Sequence, residues 1–241
     1  MGTIRLGMLT PSSNTVLEPV TAAMLAGLPD VTAHFARFPV TRIALEADAL
    51  GQFDPAPLLD AALLLADARV DAIAWNGTSA GWLGFDADVA LCAAITARTG
   101  IPATTSVLAL NEVLQRTSAR RLGLVTPYLH DVQARIVANY AGAGIDICAE
   151  RHLNDPGNFS FAGIGPEAIA GMAREVATAG PDCIATFCTN MRAAPLVPAL
   201  EAELGLPVYD TVQVTLWKSL VLAGADLARV QGWGGLFQRL G

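Results

Sequence analysis

The stretch "RLGMLTP" (Arg5–Pro11) returns as "RLGLVTP" (Arg121–Pro127), 116 residues further along the chain. Two more segments repeat in the same order. "DAIAWNGT" (Asp71–Thr78) returns as "DCIATFCT" (Asp182–Thr189), and "GIPATTSV" (Gly100–Val107) as "GLPVYDTV" (Gly205–Val212). A three-part echo in fixed order marks two related halves of about 115 residues. The period is too long, and the copies too few, for a stacked solenoid.

Each echoed segment carries a short apolar, β-branched run. Strands are predicted over Ile4–Thr10, Val31–Val40, Ala72–Trp75, Ala103–Ser106, Leu122–Thr126, Ile145–Ala149, Cys183–Phe187 and Val208–Tyr209. Between them lie Ala/Leu-rich stretches of helical period, among them Pro57–Ala68, Val132–Tyr140, Glu167–Ala177 and Ala193–Leu204. This alternation reads as βαβ units on parallel sheet, an α/β chain. The first half is expected to hold residues 1–110 together with 208–241, the last helix packing back, and the second half residues 111–207. Ligands of parallel α/β sheets sit beyond the carboxyl ends of the strands. Four loops fall there, at 11–15, 77–81, 127–131 and 188–192, and two facing halves would bring them into one cleft.

Composition narrows the classes. The chain is 53% hydrophobic and 15% charged, which suits strands buried on both faces. Its richest apolar run, Leu58–Trp75, is broken by Asp60, Asp67, Arg69 and Asp71, which argues against a membrane span. The first residues lack a basic start and an apolar core, so no signal peptide is read there and a cytoplasmic address is expected. A net charge of −7 without a basic cluster argues against a nucleic-acid partner. Cys92, Cys148, Cys183 and Cys188 show no C-x-x-C spacing and the three histidines no ligand pair, so no metal or other cofactor is expected. A homo-oligomer is compatible with the sequence, which specifies no particular state.

Cys188 stands at a strand end and is followed by Thr189, Asn190 and Arg192. Its counterpart in the first half is Gly77. One half thus supplies a thiol and the other supplies no side chain, while Cys92, Cys148 and Cys183 fall inside predicted elements as inert core. "GTSAG" (Gly77–Gly81) matches a serine-nucleophile elbow, but only His130 and His152 lie downstream, both early in the second half. The same loop also reads as an anion cradle, in which the Thr78 and Ser79 hydroxyls and backbone N–H groups at a helix start suit a carboxylate. Asn14 in "PSSNT" either caps a helix or donates into the cleft. Tyr128 either packs or donates to a substrate oxygen. Trp75 and Trp82 flank the cradle. Arg37 and Arg42 either pair a second carboxylate or stay solvated.

Together, "PSSNT", "GTS", "TPY.HDV" and "CTN.R" resemble the aspartate/glutamate racemase superfamily, in the branch of maleate cis–trans isomerases and arylmalonate decarboxylases. The resemblance covers nearly the whole chain. It implies two flavodoxin-like halves about a pseudo-twofold axis and a cofactor-free enzyme acting beside a small carboxylate. Racemases and isomerases of this kind use two cysteines, whereas the decarboxylases keep the second and have glycine at the first, as Gly77 and Cys188 do here. By the same resemblance, Thr78, Ser79, Tyr128 and the Thr189 amide hold a carboxylate. Thr189–Asn190 stands where such decarboxylases have glycines, and Asn14 is isomerase-like.

The chemistry favours one reagent. Racemisation needs acid/base groups on both faces of the substrate, and covalent isomerisation needs a nucleophile. Decarboxylation needs a cradle for an enediolate and one thiol to protonate it. The expectation is therefore a decarboxylase of aryl- or alkyl-malonates with Cys188 as proton donor and Asn14, Gly77, Thr78, Ser79, Tyr128, Thr189 and Asn190 around the substrate. A maleate isomerase is the alternative. A serine hydrolase or a non-catalytic carboxylate binder ranks behind both. A thiol placed at position 77 is expected to open the second face to proton exchange.

Overall fold

A computed structural model of the chain describes residues 2–46 and 51–241. The repeated "RLG" places a glycine at position 7 and again at 123, and both are explained by crowding. A Cβ on Gly7 would lie 3.0 Å from Val70 Cγ2, and one on Gly123 would lie 3.1 Å from Val176 Cγ2. In each half the central strand is pressed against its neighbours too closely for a side chain there. These strands are β1 (Ile4–Pro11) and β5 (Arg121–Thr126), buried along most of their length.

Around them, β2 (Val31–Phe38), β3 (Ala72–Trp75) and β4 (Ala103–Thr105) complete one parallel sheet in the order β2-β1-β3-β4. A second sheet repeats that order as β6-β5-β7-β8, with β6 at Asp146–His152, β7 at Cys183–Thr186 and β8 at Val208–Asp210. The echo extends to side chains. Asp71 Oδ2 accepts from the Arg5 amide at 2.7 Å, and Asp182 Oδ2 accepts from the amides of Arg120 and Arg121, both at 2.8 Å. The aspartate before β3 and β7 thus ties each of them to the start of the central strand.

All eight strands and the helices Pro55–Asp67, His130–Gly142, Pro166–Ala177 and Val197–Leu204 lie where the sequence places them, apart from shifts at their ends. The largest shifts are in the helix expected from Ala193, which begins at Val197 after a short 3-10 turn, and in β6, which runs three residues past Ala149. The register between β5 and β6 slips at Leu122/Gly123, an irregularity that periodicity does not reveal. The expected assignment of residues 208–241 to the first half needs correction. β8 pairs with β7 through Ile184–Val208 and Thr186–Asp210, so the second sheet extends to Asp210.

The chain crosses over only after Asp210. Helix Thr211–Leu222 packs on helix Ser106–Arg116, β3 and β4, with Thr215 Oγ1 donating to Ser106 Oγ at 2.7 Å and Lys218 paired to Glu112 at 2.6 Å. The two helices next to β4 and β8 in the chain therefore bind the halves together. Among the described residues no helix is long and apolar enough to cross a membrane.

Candidate active site

The carboxyl ends of both sheets converge on a cavity of about 20 Å³ bounded by Gly77, Thr78, Ser79, Tyr128, Cys188 and Thr189. That is room for one or two waters. Pro11, Val40, Ile43, Trp75, Trp82 and Asn158 complete its wall. Of the side chains expected around the substrate, the structure brings these together and leaves Asn14 and Asn190 one layer behind.

Cys188 lies just past β7 and is buried. Burial pushes its thiol up to about 12, and the nearby Asp210 carboxyl acts in the same direction. The Tyr128 hydroxyl and the backbone amides of Asn190 and Met191 hydrogen-bond the sulfur and pull the other way, without offsetting burial. The thiol is therefore protonated near neutrality. Asp210 itself caps helix Thr211–Leu222 by accepting from Val212 N and Gln213 N, and accepts from Thr186 Oγ1 at 2.9 Å. Its complete burial raises its carboxyl to about 7.

Tyr128 lies just past β5. Trp82 at 5.4 Å and Phe161 at 5.7 Å hold its ring edge-on, so its hydroxyl has one place to go. There it meets Thr78 Oγ1 at 2.6 Å. A line of polar hydrogens thus runs from Thr78 in one half through Tyr128 to the sulfur in the other. Ser79 does not cap the turn Ala80–Leu83 with its side chain, and it lines the cavity. That turn is four residues long and ends at Gly84, so the expected helix-start contribution to the cradle is small.

Asn14 and Asn190 are committed elsewhere. Asn14 Oδ1 accepts from Val16 N and Leu17 N, both at 2.9 Å, and its Nδ2 donates to Thr189 Oγ1 at 3.2 Å. Thr189 Oγ1 in turn donates to the Asn76 carbonyl at 3.0 Å. Asn190 Oδ1 accepts from Thr15 N, while its Nδ2 donates to the Asn158 carbonyl at 2.6 Å. These amides brace the loop after Cys188 against the first half. Both readings of Asn14 offered by the sequence involve its amide; the structure uses it as a cap and as a brace.

Arg37 is likewise occupied. It donates to the carbonyls of Ser12 and Asn14 at 2.9 and 3.0 Å and pairs with Glu18 at 2.7 Å. Arg42 pairs with Glu46 on the surface. Among the described residues no lysine or arginine lines the cavity. His130 and His152 hydrogen-bond each other, with His152 Nδ1 also 2.6 Å from Glu150 Oε2, and neither lines the cavity. Ser79 therefore has no histidine beside it, and the elbow lacks its base. Among the described residues no group of three or more His, Cys, Asp or Glu side chains could hold a metal ion.

A Cβ on Gly77 would lie 2.0 Å from Trp75 Cζ2 and 2.3 Å from Cε2. The position is not simply vacant, because the Trp75 indole already fills it. A thiol placed at 77, expected to open the second face to proton exchange, would require the Trp75 indole to move. Asn158, which borders the cavity, carries no signal in the sequence, since it sits in a loop with no motif around it.

The family model described as arylmalonate decarboxylase matches residues 37–237. The maleate isomerase of Geobacillus stearothermophilus is 25% identical over 227 residues, covering 90% of each chain. The arylmalonate decarboxylase of Bordetella bronchiseptica is 28% identical over 152 residues, covering 62% of this chain and 63% of the relative. Among solved structures, a cysteine-to-serine mutant of the Nocardia farcinica maleate cis–trans isomerase with a covalently bound succinylcysteine intermediate superposes with a TM-score of 0.88. It is 26% identical, with all of both chains covered. The resemblance read from the four loop motifs is thereby confirmed, as are the paired parallel sheets. The chain belongs to the arylmalonate decarboxylase family and is an enzyme, a lyase or an isomerase.

Proposed function

We propose that the protein is a cofactor-independent decarboxylase of malonate-type acids. The observation that carries this reading is the asymmetry of the cavity: a protonated thiol, Cys188, on one side, and an indole over Gly77 on the other. The retained carboxylate sits among Thr78, Ser79 and Tyr128, whose hydroxyls stabilise the enediolate as carbon dioxide leaves. The departing carboxylate faces Val40, Ile43 and Trp75, where among the described residues it meets no cation and few donors, so its loss as neutral carbon dioxide is favoured. The bond from the α-carbon to that carboxyl breaks, its electron pair forms the enediolate, and Cys188 returns a proton to the α-carbon. The thiolate left behind is reprotonated from solvent to close the cycle. Asn14 and Asn190 position the loop that carries the thiol.

A second reading is favoured by relatives named maleate isomerase. It requires Cys188 to act alone as nucleophile or acid. Incubation with maleate and with methylmalonate in deuterated water, followed by NMR, separates the two. Deuterated propionate from methylmalonate, with maleate unchanged, is the expected result. Fumarate formed from maleate would replace the decarboxylase reading with the isomerase one.

A further inference from the structure

The two halves exchange volume at one pair of positions. In β7 the residue two before Cys188 is Thr186, turned onto Asp210. In β3 the residue two before Gly77 is Trp75, whose indole lies where a side chain at 77 would be. A small residue with a thiol beyond it faces a large residue with nothing beyond it. Trp75 is held there by Phe38, with ring centroids 4.9 Å apart, and is 1% exposed. Behind the indole, away from Cys188, a groove of about 340 Å³ runs between helices Pro55–Asp67 and Phe85–Thr99. Leu58, Leu91, Ala94 and the buried Asp88 form part of it, and Trp75 and Ser79 border both this groove and the cavity.

We infer that Trp75 is the specificity-determining residue of the site and restricts it to acids with a small α-substituent, of the size of hydrogen or methyl. This deepens the reading of a carboxylate held by Thr78, Ser79 and Tyr128, and it rests on that reading. With about 20 Å³ open, a substrate enters by shifting the wall slightly, and an aryl ring would need the volume the indole holds. A smaller residue at 75 joins the cavity to this groove, whose lining is apolar except for Ser79 and Asp88, and gives an aryl group somewhere to lie. Discrimination by apolar volume alone amounts to ~10–200-fold, so that is the range expected.

The test is calorimetric binding of propionate and phenylacetate, which needs no turnover. Wild type is expected to bind propionate at least ~10-fold more tightly, and Trp75→Ala to reverse that order. Trp75→Leu serves the same purpose if the alanine variant does not fold. Adding Ala94→Trp to the Trp75→Ala protein fills the groove and should remove the gain for phenylacetate while leaving propionate binding in place. An unchanged order in both position-75 variants, or tighter phenylacetate binding by wild type, overturns the inference. Because binding is read without catalysis, an absence of carbon dioxide release with the binding order as expected overturns the decarboxylase reading and leaves Trp75 in its role. No binding of either probe to any variant overturns both.

Discussion

Removal of the Tyr128 hydroxyl separates a working site from a well-packed one. The ring is clamped by Trp82 and Phe161, so phenylalanine can take the same position with little repacking. What disappears is the group 2.6 Å from Thr78 Oγ1 that also hydrogen-bonds the Cys188 sulfur. Loss of one donor to a developing oxyanion lowers turnover by ~10²–10³, or about 3–4 kcal/mol of transition-state stabilisation. Stability should fall by about 1–3 kcal/mol, because the buried Thr78 hydroxyl loses its partner. The two effects are read independently, the first from kcat on methylmalonate and the second from urea unfolding. Thr78→Val attacks the same bond from its other end. If Thr78 works through Tyr128, the double variant loses no more activity than Tyr128→Phe alone; if Thr78 touches substrate, the losses add. A folded Tyr128→Phe protein with kcat within about three-fold of wild type would refute the cradle.

Cys188→Ala should abolish product formation while carboxylate binding persists, whereas alanine at Cys92, Cys148 or Cys183 leaves activity in place; kinetics and calorimetry decide both. With its thiol raised from 9.0 to about 12, Cys188 should be alkylated by iodoacetamide ~10³-fold more slowly in the folded protein than in urea at the same pH. Alkylation at equal rates would show that the thiol is not raised in the folded protein, and faster alkylation would show a thiolate. Asp88 is buried with its carboxyl raised from 3.8 to about 7, so its neutral form favours the folded state. That stability is fully present below about pH 4 and lost as pH rises through about 7, at most about 4 kcal/mol in all. Asp88→Asn keeps the acceptor for Thr105 and should flatten the urea midpoint between those limits relative to wild type. Gly77→Cys should destabilise by about 1–3 kcal/mol through its overlap with Trp75 and add no product racemisation by itself. Racemisation by the single variant would show that the indole yields.

The architecture was legible because it is written twice. Gly7 and Gly123, or Asp71 and Asp182, each carry the same structural duty in their own half, and a repeated duty leaves a repeated letter. Cys188, Thr78, Ser79 and Tyr128 were legible for a related reason, since strand ends are located by the strands themselves. Trp75 was harder to read. The sequence places it beside the cradle, where core packing is the ordinary expectation, but that its ring curls over a residue two positions on depends on side-chain direction in three dimensions. Asp88 and Asp210 gave no sign either, because a buried carboxyl in a helix or at its cap is spelled the same way as an exposed one. The commitments of Asn14 and Asn190 run between segments about 175 residues apart, where no local pattern reaches.

Those long-range bonds bear on the chemistry. Asn14 to Thr189, Thr15 to Asn190 and Thr78 to Tyr128 each join one half to the other. The cavity is therefore made of neutral dipoles fixed by the closure of the two halves, and Arg37, the nearby cation, is spent on Glu18 and on the loop carbonyls. In the proposed reaction a cation in the cavity would lower the thiol's pKa, depleting the proton donor, and would stabilise the departing carboxylate, opposing the loss of carbon dioxide. Neutral donors hold an enediolate without those two consequences. An enzyme that held two carboxylates at once would need a second set of donors, and beside its hydroxyls the cavity is lined by Val40, Ile43 and the Trp75 indole. The protonated thiol, the neutral donors around it and the apolar lining are thus the features on which the proposed decarboxylation rests, in which an acid keeps one carboxylate and loses the other.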